Sequence, residues 1–344
     1  MNPTELNQES LQSWMDEHWS AGNPAIQSIK KFKGGYSNLT FLLELSNHKV
    51  VLRRAPLGAA VKGGHDMVRE YSILKALAPT LPACPKPLAV CHEPEVLGSP
   101  FFFMEFLEGK ILRPGVASAE LSSDQLRSGC ELLIHTLAEL HQVNPAEAGL
   151  DGIGKPEGYV ARQVAGWIGR YRKVAHNHTD QIEALLSWLD NHQPSDGPVS
   201  VIHNDFKFDN VVMDLREPVS IKGILDWEMA TVGHPWMDLG TTLAYWVEEH
   251  DGPFLKPFNI THLPGALSRA EVLSLYEEKT GTQVEAPVFY YAFGLFKVAV
   301  IALQIFARFR QGLTDDQRFA ALGMVAESAL NQASHAIDTG SVSG

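Results

Sequence analysis

The sequence predicts an α+β fold in two parts, a β-rich N-terminal third joined by a short polar connector to a mainly helical remainder. Three features carry that prediction. Apolar and polar residues alternate over residues 26–54, helical spacing takes over from about residue 118, and one island of β-branched runs, residues 199–225, interrupts the helical part. A period of two marks a strand with one buried face, and a period of 3.6 marks an amphipathic helix.

In chain order, residues 3–19 read as a polar helix. Residues 26–54 read as a strand, a tight turn at Gly34-Gly35 and further strands, with Phe41, Leu43 and Leu45 on one face. Val68, Tyr71, Ile73, Leu74 and Leu77 have helical spacing, which Pro79 and Pro82 end. After a loop punctuated by Pro85, Pro87 and Pro94, the run Phe101-Phe102-Phe103-Met104 suits a buried strand. Residues 105–109 are the connector, separating an N-terminal lobe (1–104) from a C-terminal lobe (110–344) with a helical insert over about 245–280. Ser122 with Gln125, and Ser268 with Glu271, have the spacing of helix-capping boxes. Only residues 338–344 read as a loose tail.

Composition narrows the function. Net charge is −12, and the first 107 residues balance at 10 basic and 10 acidic, so the acid excess lies in the C-terminal two-thirds. Nucleic acid and anionic membranes need a basic footprint and are not expected partners. No apolar run reaches the roughly 18 residues of a membrane span; the nearest approach, residues 292–306, is interrupted by Lys297 and Gln304. With no basic-then-apolar start, a cytoplasmic location is expected. Cys84, Cys91 and Cys130 lack CxxC spacing and read as inert thiols.

The chemistry concentrates in His203-Asn204-Asp205-Phe206-Lys207-Phe208-Asp209-Asn210, followed one hairpin later by Ile224-Leu225-Asp226-Trp227. Phosphoryl transfer from ATP needs a carboxylate to orient the attacking hydroxyl and accept its proton, and oxygen ligands for Mg²⁺. Asp205 fits the first role; Asn210 and Asp226 fit the second, with the spacing of a kinase catalytic loop and its metal-binding aspartate. Lys207 stands where kinases place a lysine near the transferred phosphate. His203 reads as a packing residue, and His135 and His141 are off one helical face and do not read as a metal pair.

These motifs, HNDxKxDN and LDWEMATVGHPWMDLG, resemble those of aminoglycoside phosphotransferases, choline kinases and related small-molecule kinases. They are most similar to the kinase-like domains associated with acyl-CoA dehydrogenases. The likeness runs on through Gly34-Gly-Tyr-Ser-Asn-Leu-Thr40, Val51-Leu-Arg-Arg54, Arg69-Glu-Tyr, Phe103-Met-Glu-Phe-Leu-Glu-Gly109, Leu137 to His141 and the segment from Tyr291 to Arg308. It implies a bilobal protein-kinase-like fold that uses ATP and Mg²⁺. It places Gly35, Ser37 and Asn38 over the phosphates, Arg53 and Glu70 as the basic and acidic pair of the nucleotide lobe, and backbone groups of Glu105 and Leu107 against adenine. Whether Arg53 or Arg54 faces the nucleotide is left open, because a one-residue slip reverses the face. Asp238 matches the aspartate that braces the catalytic loop.

About a dozen residues separate Asp226 from Asp238, too few for a peptide-binding activation segment. A hydroxylated small molecule is therefore the expected acceptor, with Trp227, His234, Trp236, Tyr245, Trp246, Tyr290 and Tyr291 either walling its site or packing the core. The resemblance favours a hydroxyacyl-CoA or hydroxy acid, and the acidic C-terminal part a cationic alcohol of the aminoglycoside or choline type. Glu248 and Glu249 in the insert would then border the cleft. A nucleotide-binding pseudokinase is the third reading, against which Asp205, Asn210 and Asp226 all stand.

Overall fold

The computed structural model describes residues 6–19, 22, 24–32, 38–57, 65–114, 121–175, 179–314 and 316–343. Among these, the first part is a five-stranded antiparallel sheet in the order β1-β2-β3-β5-β4, built from β1 (Ile26–Lys31), β2 (Leu39–Leu45), β3 (Lys49–Arg54), β4 (Pro87–Cys91) and β5 (Phe101–Glu105). Between β3 and β4 runs helix α2 (Met67–Leu77), whose N-cap Asp66 accepts from the Arg69 amide.

The sheet is buried on both faces, and strand pleating sorts its side chains. Phe41, Leu43, Val50, Leu52, Phe101 and Phe103 pack with Leu11, Trp14 and Met15 of helix α1 (Gln8–His18) in a separate outer core. Val51, Phe102 and Met104 face the other way, joining α2 and the main core. The same alternation decides between the two arginines: Arg53 lies on the inner face with Val51, whereas Arg54 turns outward and donates to the Leu97 carbonyl at 2.7 Å, at the end of the short helix α3 (Pro94–Leu97).

The second part is helical: α4 (Ser123–His141), α5 (Tyr159–Val174), α6 (Asp180–Asn191), α7 (Pro235–Tyr245), α8 (Arg269–Thr280), α9 (Pro287–Arg310) and α10 (Leu322–Thr339). Both expected capping boxes form, on α4 and α8. Long and apolar enough to cross a bilayer, α9 is instead mostly buried within the protein against α7 and α10. Glycines permit the α7–α9 approach, since a Cβ on Gly240 would stand 2.2 Å from the Tyr290 carbonyl oxygen and one on Gly294 equally close to that of Gly240.

The island between α6 and α7 holds the hairpin β7 (Val211–Asp214) and β8 (Ser220–Ile224), and pairs β6 (Ser200–Ile202) with β9 (Thr231–Gly233), a strand too short to read from sequence. The connector is pinned to this hairpin: Lys110 and Met213 exchange backbone hydrogen bonds at 2.8 Å, and Leu107 Cδ1 occupies the space a side chain at Gly223 would need. The expected loose tail is a correction. Residues up to Thr339 complete α10, and the Val342 carbonyl accepts from buried Arg269, which anchors the end of the chain.

Candidate active site

The loop from His203 to Asn210 is held by side chains from around it. Asp238, fully buried on α7, accepts from the His203 amide at 2.6 Å and the Asn204 amide at 2.7 Å, and His141 Nε2 lies 3.2 Å from it. Burial alone would raise its pKa, but His141 and His203 hold it below the usual carboxylate range. Thr242, also on α7, donates to the Phe206 carbonyl, and Lys297 on α9 donates to that of Asn204. His203 is buried, which lowers its pKa. As a neutral ring it donates from Nε2 to the Leu225 carbonyl and accepts the Asp205 amide at Nδ1. It therefore ties the loop to the strand end before Asp226 and has no nitrogen left to act as a base.

Asp205 is partly exposed, and its two oxygens accept from Lys207 Nζ at 2.7 and 2.8 Å. Burial opposes the Lys207 charge, yet Tyr245, whose ring lies 4.3 Å from Nζ, and Asp205 raise its pKa above that of free lysine. Asn210 ends a single 3-10 turn, and its Nδ2 donates at 2.8 Å to both the carbonyl and a carboxylate oxygen of Asp205. The Leu225 amide donates to the Asn210 carbonyl, so the Asp205 loop and the Asp226 turn are one hydrogen-bonded unit.

Asn204 and Asp226 both have φ 68°, and they account for two of the three described non-glycine residues with positive φ. Asn and Asp tolerate this left-handed conformation better than other L-residues, and such strain persists where the surroundings over-determine it.

From the sheet, Arg53 reaches into a ring of carboxylates: NH2 is 2.8 Å from Asp226 Oδ1 and 3.6 Å from Glu228, and Nε is 3.3 Å from Glu70 of α2. Burial opposes its charge, the three acids outweigh burial, and its pKa is raised. Glu70 is pushed up to about 7 by burial, against the pull of Arg53. Asn38 donates to Glu228 at 2.6 Å and faces His65 at 3.0 Å, which links the start of β2 to the turn after Asp226. Glu105 and Leu107 flank the sheet-to-hairpin junction, with the Glu105 amide donating to the Lys86 carbonyl. Gly35 and Ser37 lie outside the described residues.

Asp205, Lys207, Asn210, Asp226, Arg53 and Glu70 are thus linked in one contact network between sheet and helices. Glu228 was not singled out from sequence, although its place two residues after Asp226 was a usable signal. Of the two readings open to the aromatic residues, Trp227, Trp246, Tyr290 and Tyr291 take the core one, at 1% exposure, while Tyr245 meets the motif through Lys207. One expectation is corrected. Glu248 and Asp251 both pair with buried Arg269, so their charge holds the insert together and is not free to bind a cation. A cavity of about 560 Å³ between α5, α6, α9 and α10 contains no residue of the motif.

A family model described as "Phosphotransferase enzyme family" matches residues 28–273. Human acyl-CoA dehydrogenase family member 11 is 31% identical over 317 residues, covering 89% of this chain and 40% of that protein. The chain therefore spans about two-fifths of the length of that relative. A crystal structure from Ralstonia eutropha, assigned to the aminoglycoside phosphotransferases, is 28% identical with a TM-score of 0.81, covering 96% of this chain and 99% of that one. Aminoglycoside 2'-phosphotransferase-IIIa, solved as its GDP complex, shares the fold at 14% identity with a TM-score of 0.61, over 94% of this chain and 99% of that one. The fold is accordingly the bilobal protein-kinase-like one.

Proposed function

The chain belongs to the phosphotransferase enzyme family, and from that premise we propose that it is a small-molecule kinase transferring the γ-phosphoryl group of ATP to a hydroxyl. The observation that carries the reading is Asp205, a partly exposed carboxylate bonded at once to Lys207 and Asn210 and in the same hydrogen-bonded unit as the Asp226 turn.

In the reaction, Asp205 orients the acceptor hydroxyl and takes its proton as the oxygen bonds to the γ-phosphorus and the bond to the β-phosphate oxygen breaks, releasing ADP. Lys207 meets the charge on the transferred group. The donor set fits Mg²⁺, a hard cation that takes one or two protein oxygens and completes its shell with water and phosphate. The bonds from Asn210 Nδ2 commit the amide nitrogen to Asp205, so Oδ1 is the atom offered to a cation that the Asp226 carboxylate would share. The metal would neutralise phosphate charge. Arg53, kept beside Asp226 by Glu70, would turn to the phosphates with Asn38, the resemblance adds Gly35 and Ser37 to that role, and backbone groups of Glu105 and Leu107 would meet adenine at the hinge.

For the acceptor we favour an anionic hydroxy acid or hydroxyacyl-CoA. Glu248, one of the acids that favoured a cationic alcohol, is bound to Arg269 together with Asp251, and the relative's name places it among acyl-CoA dehydrogenases. Incubation with labelled ATP and Mg²⁺ against hydroxy acids, hydroxyacyl-CoA thioesters, choline and aminoglycosides, read by the mass of the acceptor, tests this. Label should appear on the thioester or acid. Transfer to choline or aminoglycosides alone overturns the acceptor class, and no transfer to any hydroxyl overturns the kinase reading.

A further inference from the structure

Lys297 lies near the middle of α9 and is 4% exposed, a place where an ammonium group is costly to keep. Its hydrogen-bond partners among the described residues are two uncharged oxygens, the Asn204 carbonyl at 2.8 Å and Thr241 Oγ1 at 3.4 Å. The Trp167 ring of α5 stands 5.9 Å from Nζ, with the Arg170 guanidinium 4.5 Å from the same ring. Burial pushes the Lys297 pKa down to about 8; Asp238 and Asp205 act against that shift, Lys207 and Arg170 with it. A buried cation bonded to a backbone carbonyl rather than a carboxylate needs a reason.

The reason lies in the peptide it touches. Asn204 is left-handed, and its carbonyl belongs to the peptide that leads into Asp205. Asp238 takes the two amides before that peptide, and Lys297 takes the carbonyl. An anion and a cation thus grip the two polarities of one strained turn, and rotation of the peptide would have to break a charge-assisted bond. We propose that Lys297 is a positioning residue for phosphoryl transfer, clamping the Asn204–Asp205 peptide against Asp238 so that the Asp205 carboxylate is held toward the acceptor. The functional half of this proposal rests on the kinase reading; the clamp itself does not.

The test compares Lys297→Met and Lys297→Arg with wild type by three measurements: magnesium-dependent ADP release from ATP with water as acceptor, calorimetric binding of Mg·ADP, and hydrogen exchange across residues 203–206. The methionine variant should lose about tenfold or more in kcat, with KM for ATP and Mg·ADP affinity within about twofold, because the group lost acts on the base and not on the nucleotide. Exchange across 203–206 should quicken. Arginine, which keeps a charged donor, should recover most of both. In an Asp205→Asn background, Lys297→Met should cost less than about twofold more, since the residue to be positioned is already disabled.

The proposal is overturned by unchanged exchange across 203–206, by a full additional loss in the Asp205→Asn background, or by a change confined to KM, which would make Lys297 a direct substrate contact. If the methionine variant does not fold, the arginine variant decides: wild-type exchange with a kcat loss beyond about tenfold overturns the clamp. If wild-type protein releases no ADP with water, kcat is read on the acceptor that the screen identifies; if no hydroxyl takes the label, the kinase reading is what fails, and the exchange measurement alone decides the clamp.

Discussion

Asp205 and Lys207 show how a short stretch of chain can bring a carboxylate and a cation together: residues two apart in one loop, both oxygens of one on the ammonium of the other. Replacing Asp205 by Asn keeps the shape and removes the proposed proton acceptor. The variant should bind Mg·ADP as wild type does while kcat falls by about 10² or more. A kcat near wild type, measured on whichever acceptor the screen identifies, would remove Asp205 from the role of base. His203 is instructive at the same scale. A buried histidine one turn from a reaction centre invites a catalytic reading, yet both ring nitrogens are already spent on the Leu225 carbonyl and the Asp205 amide.

Among the elements, α7 and α9 place the motif. α7 supplies Asp238 and Thr242 to the loop 203–210, and α9 supplies Lys297, which also donates to Thr241 of α7, to the same turn. Their spacing depends on two glycines whose added methyl groups would fall on backbone of the facing helix at 2.2 Å. Backbone cannot swing aside as a flexible side chain can, so Gly240→Ala should force the helices apart. We expect a loss of about 1–3 kcal/mol or more of stability, read as a lower midpoint in chemical denaturation. A kcat reduced beyond the unfolded fraction should accompany it, because Asp238 and Lys297 move with their helices. A midpoint equal to wild type would show that the crossing tolerates the methyl.

For the whole molecule, the two lobes meet through charge as well as through the main apolar core. Arg53 of the sheet contacts Asp226 and Glu228, and Arg69 of α2 donates to the Glu228 and Ala230 carbonyls. A nucleotide carrying Mg²⁺ would bind between these parts and stabilise the folded chain by linkage, about 2.7 kcal/mol at a hundredfold excess over Kd. Asp226→Ala should abolish the part of this gain that requires the metal, leaving only the thermal shift seen with ADP and chelator. If magnesium still raises the melting temperature of the ADP-bound variant, Asp226 is not its ligand.

What was legible in the sequence follows from distance along the chain. Asp205, Lys207 and Asn210 lie within one loop, so their spacing already states their geometry, and the capping boxes of α4 and α8 are equally local. The β-rich first third and helical remainder could be read because side-chain period reports backbone conformation directly. By contrast, Arg53 meets Asp226 across 173 residues, Asn38 meets Glu228 across 190, and Lys297 meets Asn204 across 93. No local pattern encodes such pairs. The choice of Arg53 over Arg54 needed the register of β3 against β5, and the neutralisation of Glu248 and Asp251 needed the position of Arg269. The sequence by itself determined the fold class and the set of polar residues that one loop brings together. Tertiary structure alone decided which charges face the cleft and which are spent in the core, because a side chain's electrostatic role depends on burial and on partners that only packing brings near.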